Sequence, residues 1–252
     1  MLDTVNTKPP HYTDGCFRTG TGENVVVILG SCRIFPYVNY MNRWNEGRNE
    51  FTIVVINIVN FAFDQHDNHV NSDQFTVQFE TNPVLLDMVK RCRIFIHEHA
   101  ENFGCFNTVP SGIKKNIYQL GMKAEIDIAI PNFHDRFVLE NDWRSCGMEP
   151  PENYIEKGEQ AIHEFTNKTI LTSFPEFGHV FRETWRDIRY FWTPNHVSSH
   201  FSILVFTLMN EKYLRMPLTF DFWNGARQED LFKEPHTQVT QRDIDGYHLK
   251  WS

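Results

Sequence analysis

The chain has 252 residues, of which 41% are hydrophobic, 22% charged and 14% aromatic. These fractions suit one large globular domain or two small ones and exclude disordered, collagen-like and coiled-coil chains. Lys and Arg total 24 against 32 Asp and Glu, so the formal charge is -8, a poor match to direct nucleic-acid binding, whose affinity comes largely from neutralising phosphates.

Residues 1–22 are polar and rich in Gly, Pro and Thr, and read as an N-terminal arm. Asn24 to Gly30 (NVVVILG) is a β-branched run ended by Gly, the pattern of a buried strand in a parallel sheet. Ile34, Tyr37, Val38, Met41 and Trp44 then recur at helical spacing. Phe51 to Val59 reads as a second strand, Asp64 to Gln74 as a polar loop, and Thr81 to Arg91 as a helix with a cap residue and an early Pro. Cys92 to His97 is a third strand, Ser111 to Leu120 a short helix, and Glu125 to Ile130 a fourth strand halted by Pro131. Alternating strands and helices predict a Rossmann-like α/β fold, a parallel sheet flanked by helices, over residues 23–150.

After Pro150-Pro151 the pattern turns helical, and residues 151–216 read as a helical C-terminal part of the same domain. Asn153 to Phe165 is one helix. Ser173 to Glu176 (SFPE) reads as a capping box opening a second helix through about Tyr190. Ser198 to Met216 is a third, with Phe201, Leu204, Val205, Leu208 and Met209 on its inner face. Residues 217–252 form an aromatic, polar tail with no assigned element.

No apolar run approaches the ~18 residues of a membrane span, and the first residues lack a basic n-region and an apolar h-region. A cytoplasmic protein that does not bind membranes is expected. The five cysteines are widely spaced and contain no CxxC pair, against both a disulfide framework and a zinc ribbon.

In open α/β sheets ligands sit beyond the carboxyl ends of the strands. The first strand delivers Gly30-Ser31-Cys32-Arg33 to that edge and leads into a helix, whose N-terminus offers free N–H groups and a positive dipole end. A cysteine there, beside an arginine, is expected to have a lowered pKa and to serve as a nucleophile. The alternative is a small-residue turn with a packed cysteine.

The strand–Gly-Ser-Cys–helix start resembles the first motif of the SGNH-type hydrolase and transferase fold, where the third position carries the nucleophile. Phe191 to Met209 (FWTPNHVSSHFSILVFTLM) is similar to a late segment of the WcbI-like acetyltransferase family of polysaccharide biosynthesis. The resemblance spans residues 24–210 on short motifs. It implies Cys32 as nucleophile with Ser31 beside it, and His196 as general base. Thr193 stands three residues before His196 where the fold's motif has Asp, Val197 replaces a Pro, and Arg33 replaces a Gln. By the same resemblance Gly104 and Asn107 help form an oxyanion hole. Glu98 takes the place of the missing Asp in orienting His196.

His97 and His99, with Asp64, His66 and His69, make a mixed nitrogen and oxygen set, but the spacing has no second metal-like pair and no metal is expected. His134, in Asn132-Phe133-His134-Asp135-Arg136, is a rival base. Arg33, Lys114 and Lys115 are candidate cations, and Arg182, Arg186 and Arg189 fall at i, i+4 and i+7. One helix face could then hold three guanidinium groups against a phosphorylated cofactor such as coenzyme A, or display them as a solvated face paired with Glu183 and Asp187. Trp185, Tyr190 and Trp192 read as core or cleft lining. No P-loop, GxGxxG, HExxH or GxSxG is present.

The expected activity is acyl transfer from acetyl-coenzyme A, or another coenzyme A thioester, to a hydroxyl or amine acceptor such as a sugar or other small molecule. The site residues are Cys32, His196, Ser31, Glu98 and Asn107, with Arg33, Gly104, Arg182, Arg186 and Arg189 toward the cofactor. Alternatives are an esterase or deacetylase of the same fold, a non-catalytic binding module, and a transferase acting on a modified nucleotide.

Overall fold

Six consecutive buried positions on one strand and seven on its neighbour set the centre of the first unit. β2 (Asn24–Gly30) buries Val25 to Gly30, and β3 (Phe51–Asn57) is buried throughout. Strands enclosed on both faces show continuous apolar runs rather than alternation, which is why this pair was readable as the sheet's interior. The computed structural model describes residues 16–58, 63–64, 69–70, 81–99, 110–132, 137–193, 196–228 and 237–251. They fall in two compact units, Met1–Asn132 and Phe133–Ser252.

The first unit is α/β. Its five-stranded sheet adds β1 (Cys16–Thr19), β6 (Cys92–His99) and β7 (Ile126–Pro131) in the order β1-β3-β2-β6-β7. The pairings β3–β2, β2–β6 and β6–β7 are parallel, and β1 pairs antiparallel with β3. The sheet is therefore mixed, a correction to the wholly parallel expectation, and the added edge strand lies within the stretch read as an arm. Two short strands, β4 (Phe63–Asp64) and β5 (His69–Val70), pair antiparallel, the first ending at the start of the segment expected as a loop and the second lying within it.

Helices flank this sheet. A 3-10 turn, Cys32–Ile34, leads into α1 (Phe35–Asn45), which packs on β3. α2 (Pro83–Lys90) starts at Asn82, whose side chain accepts from the Leu85 N–H, and α3 (Pro110–Gln119) precedes β7. Val25, Val27 and Leu29 of β2 join Val54 and Ile56 of β3, Leu85 and Val89 of α2 and Ile117 of α3 in one core cluster. The strand period of two leaves Val26 and Ile28 for the opposite face.

The second unit is mostly helical. It contains α4 (Glu140–Ser145), α5 (Tyr154–Lys168), α6 (Pro175–Thr184), α7 (Ser199–Met209), α8 (Phe220–Gln228) and α9 (Gln241–Tyr247), with a short hairpin of β8 (Phe191–Thr193) and β9 (His196–Val197). Its core is aromatic. Phe165 of α5 meets Phe181 of α6 at 4.9 Å and Phe201 of α7 at 6.0 Å, and Phe177 meets Phe201 at 4.7 Å.

Three helix boundaries depart from expectation. α6 does not open on a Ser173 capping box, because Pro175 occupies its first turn and forces the preceding Phe174 out of helical geometry (φ -133, ψ 62). The Phe174 N–H goes instead to Thr172 Oγ1. α6 also ends at Thr184 rather than near Tyr190, as the next turn is drawn to the C-terminal segment: Arg186 Nε donates to Tyr247 O, and Lys250 N to Arg186 O. α7 stops at Met209 and loosens into a π turn, where the Asn210 side chain clasps both N–H and C=O of Met216. Buried Ser202 and Phe206 share its inner face, while Leu204 and Leu208 are only half-buried.

The tail left without an element closes this unit. Asp243, fully buried, accepts from the N–H groups of Glu140 and Thr240, so one carboxylate serves the starts of both α4 and α9. Tyr247 Oη donates to Val138 O, and Gly158 of α5 leaves room for it, since a Cβ there would lie 2.0 Å from that oxygen. Asp142 is buried and accepts from the N–H groups of Val138 and Leu139. Burial nevertheless pushes its carboxyl up to about 6. The folded state then keeps a proton that an unfolded carboxylate, ordinarily near pKa 4, has lost. This group's penalty is full above about pH 6 and fades as pH falls toward 4. Asp142→Asn is expected to raise the melting temperature at pH 7.5, with a gain that shrinks by pH 4.5; a gain or loss constant across thermal melts at both pH values contradicts this assignment.

Candidate functional site

The chain leaves β2 for β3 on one side and returns to β6 on the other. Strand order therefore reverses at β2, and the carboxyl ends of β2 and β6 bound the place where open α/β sheets form a crevice. Ser31 follows β2 there, Glu98 lies near the end of β6, and Asn132 follows β7.

These three strand ends are joined by one carboxylate. Glu98 Oε1 accepts from the Ser31 hydroxyl at 2.9 Å, and Oε2 accepts from the Ser31 N–H at 3.1 Å and from Asn132 Nδ2 at 3.4 Å. The Glu98 side chain reaches Ser31 by crossing Gly30, where a Cβ would lie 2.8 Å from its Cγ and Cδ and 2.4 Å from Ile34 Cγ2. The glycine of the Gly-Ser-Cys motif thus clears the path of the carboxylate.

Arg33 completes the cluster. Its Nη1 donates to Ser31 Oγ at 2.9 Å and lies 4.0 Å from Glu98 Oε2. Ser31, Arg33 and Glu98 are all buried, with side-chain exposure of 6% for Arg33 and 1% for Glu98. Opposed charges in such a place are tolerated because they are paired and hydrogen-bonded. Ser31 Oγ also accepts from the Arg33 N–H at 3.4 Å, capping the 3-10 turn.

Cys32 is half-buried between them. The expectation of a lowered pKa is corrected: burial pushes the thiol up, Arg33 pulls it down, and Glu98 adds to the rise. The dipole argument is also weaker than expected, since Cys32 opens a three-residue 3-10 turn and α1 begins only at Phe35.

His97 faces away from this cluster. Its Nε2 lies 2.9 Å from Asp127 Oδ1 and 2.9 Å from Lys114 Nζ, while Lys114 and the Tyr118 hydroxyl also reach Asp127 Oδ2 at 2.7 and 2.6 Å. Burial works to raise the Asp127 pKa, yet hydrogen bonds from His97, Lys114 and Tyr118 hold it well below the usual carboxylate range. This network was not read from the sequence; Asp127 and Tyr118 carry no motif. No group of three or more His, Cys, Asp or Glu side chains suited to a metal occurs among the described residues. Lys115 is exposed. Gly104, Asn107, His66 and His134 lie outside the described residues, as do the side chains of Asp64 and His69.

In the second unit, His196 opens β9. Thr193 Oγ1, at the position of the missing Asp, accepts from the His196 N–H at 3.1 Å and lies 3.2 Å from Nδ1. The arginine stripe is not a helix face, because α6 ends before Arg186 and Arg189. Arg182 pairs with Glu183, and Arg186 with Glu159 while lying over Trp185. Arg189 donates to the carbonyls of Phe191 and Thr237 and lies over Trp192 and Trp251. Trp185 and Tyr190 are core residues as expected, and Trp192 is half-buried.

No protein-family model, no curated protein and no solved structure matches the chain.

Gly30→Ala tests whether the strand-end cluster needs this clearance. Overpacking of this kind costs about 1–3 kcal/mol, so urea or thermal denaturation should show a clear loss of stability together with a changed rate of Cys32 alkylation. Wild-type stability and an unchanged alkylation rate contradict the required approach of Glu98.

Proposed function

We propose that the chain is an acyltransferase of SGNH-like or WcbI-like type, moving an acyl group from a coenzyme A thioester to a hydroxyl or amine acceptor such as a sugar. The observation behind this reading is the placement of Cys32, a half-buried thiol in the turn after β2, where the strand order reverses and next to a buried Ser31–Arg33–Glu98 cluster. The parallel order β3-β2-β6-β7 supports a Rossmann-like core.

Cys32 takes the acyl group from the thioester as a new thioester and passes it to the acceptor. Thioester exchange suits cysteine because the bond broken and the bond formed are alike, so the intermediate is neither a trap nor a high-energy species. The proposal assigns the general base to His196, on the resemblance. The phosphates of coenzyme A receive no arginine stripe from α6 in this proposal.

A second reading is a non-catalytic binding module on the same fold. The raised thiol favours it, as does the neutral Thr193 in place of a carboxylate beside His196.

Alkylation of Cys32, followed by mass spectrometry against pH with and without coenzyme A, separates the two. Protection by millimolar coenzyme A is expected, with an alkylation midpoint above that of an ordinary thiol. A rate indifferent to coenzyme A removes the acyltransferase reading and leaves the binding module. In parallel, His196→Gln is expected to slow Cys32 deacylation to an added hydroxyl acceptor at least tenfold; an unchanged rate removes His196 from the proposal without touching Cys32.

A further inference from the structure

We propose that Arg189 is a positioning residue for His196, holding the β8–β9 hairpin that carries the imidazole and tying that hairpin to the C-terminal segment, residues 237–251. What His196 does there rests on the acyl-transfer reading, whereas the support of the hairpin is a property of the second unit by itself.

Both ends of Arg189 grip the base of the hairpin. Its guanidinium donates through Nε to the carbonyl of Phe191, the first residue of β8, at 3.1 Å. Its own carbonyl accepts from the hydroxyl of Ser198, which follows β9, at 2.7 Å. The Ser198 N–H closes the same end on Tyr190 O at 2.8 Å. Phe191, Val197 and Ser198 are buried, and Thr193 and His196 pair with each other across the two strands that start from this base. A two-stranded hairpin is marginal on its own, so its geometry depends on such anchors.

The other branch of the guanidinium reaches the C-terminal segment. Arg189 Nη2 donates to Thr237 O, and the Thr237 N–H returns to Trp192 O at 2.6 Å. Trp192 and Trp251 cover the cation with their ring centroids at 4.8 and 5.2 Å, and Trp251 Nε1 donates to Trp185 O at 2.8 Å. Burial works against the charge of Arg189, and the Asp142 carboxylate works for it. Lysine offers no substitute, since an ammonium on a flexible stem lacks the planar fork that serves two carbonyls in fixed directions.

What the clamp secures is the tautomer of His196. A histidine that takes a proton at Nε2 keeps its other proton on Nδ1, and the hydrogen bond made at Nδ1 selects that form. Thr193 Oγ1 lies 3.2 Å from Nδ1 and accepts from the His196 N–H with one lone pair, leaving a second for Nδ1–H. Neutral Thr193 thereby orients the ring as a carboxylate would, provided that the hairpin keeps this geometry.

The test compares Arg189→Lys, His196→Gln and the double variant with the wild type, all on the full chain. Cys32 is acetylated with p-nitrophenyl acetate, and its deacylation to added glycerol is followed by intact mass. Arg189→Lys is expected to slow deacylation at least about fivefold when His196 is present and not at all when it is already Gln, because a residue that acts through another has no separate effect once that other is gone. Slowing by one factor in both backgrounds marks a merely structural role and overturns the proposal, as does no slowing in either. The second readout is the histidine ring-nitrogen NMR spectrum at pH 7.5, with His196 assigned by its loss in His196→Gln. The wild type is expected to hold the Nδ1–H tautomer, and Arg189→Lys to move toward the mixture shown by free histidine. A wild-type ring already at that mixture overturns the proposal, even if Arg189→Lys fails to fold. If Cys32 takes no acetyl group, or His196→Gln leaves deacylation unchanged, the acyl-transfer role of His196 falls and the spectrum decides for Arg189: a shifted tautomer in Arg189→Lys sustains the positioning role, and an unchanged one overturns it.

Discussion

The close passage of Glu98 across Gly30 is the constraint on which the strand-end cluster depends. A carboxylate on β6 reaches the turn after β2 only because the last residue of β2 has no side chain. Once there, it satisfies the backbone and hydroxyl of Ser31 together, and a buried anion requires the cation that Arg33 brings. The turn, the cap of the 3-10 segment and the electrostatics around Cys32 all follow from that contact. The thiol lies between a guanidinium that favours its charged form and a carboxylate that opposes it, with burial deciding in favour of the neutral one.

Much of this unit was legible in the sequence, and the reason is physical. β2 and β3 are enclosed on both faces, and continuous β-branched runs have few other stable settings. Gly30-Ser31-Cys32 was readable as a strand-end turn for the same reason. The partner of the turn was not. Alternation along Cys92 to His99 tells which residues share a face, so His97 and Glu98 were bound to diverge; it does not tell that Glu98 meets Ser31, 67 residues earlier. The network of Asp127, Lys114 and Tyr118 with His97 was invisible on similar grounds, because it exists only once β7 and α3 lie beside β6.

In the second unit the legible part was apolar and the missed part polar. Phe165, Phe177, Phe181 and Phe201 sit at helical spacing and form the core. The ends of the helices were misplaced because distant groups set them. Arg186 and Arg189 keep the periodicity of a helix past Thr184, with no Gly or Pro to mark a stop, but carbonyls of Tyr247, Phe191 and Thr237 claim their guanidinium groups. An apparent cofactor stripe thereby becomes the fastening of the C-terminal segment. One signal for that segment was present: Thr240 and Asp243 form a capping box, the sequence mark of a helix start.

That fastening bears on the order in which the polypeptide can mature. The first sheet has all its strands once β7 is made, at Pro131, so its pairing can be completed early in synthesis. The start of α4 cannot. Its Glu140 N–H waits for a carboxylate at Asp243, 103 residues later, and Val138 O waits for the hydroxyl of Tyr247. Chains are generally made N-terminal part first and fold domain by domain, and contacts of such sequence separation are slow to close. The second unit is therefore the part of the nascent chain that must stay open longest, with its phenylalanine-rich interior the surface a chaperone would meet.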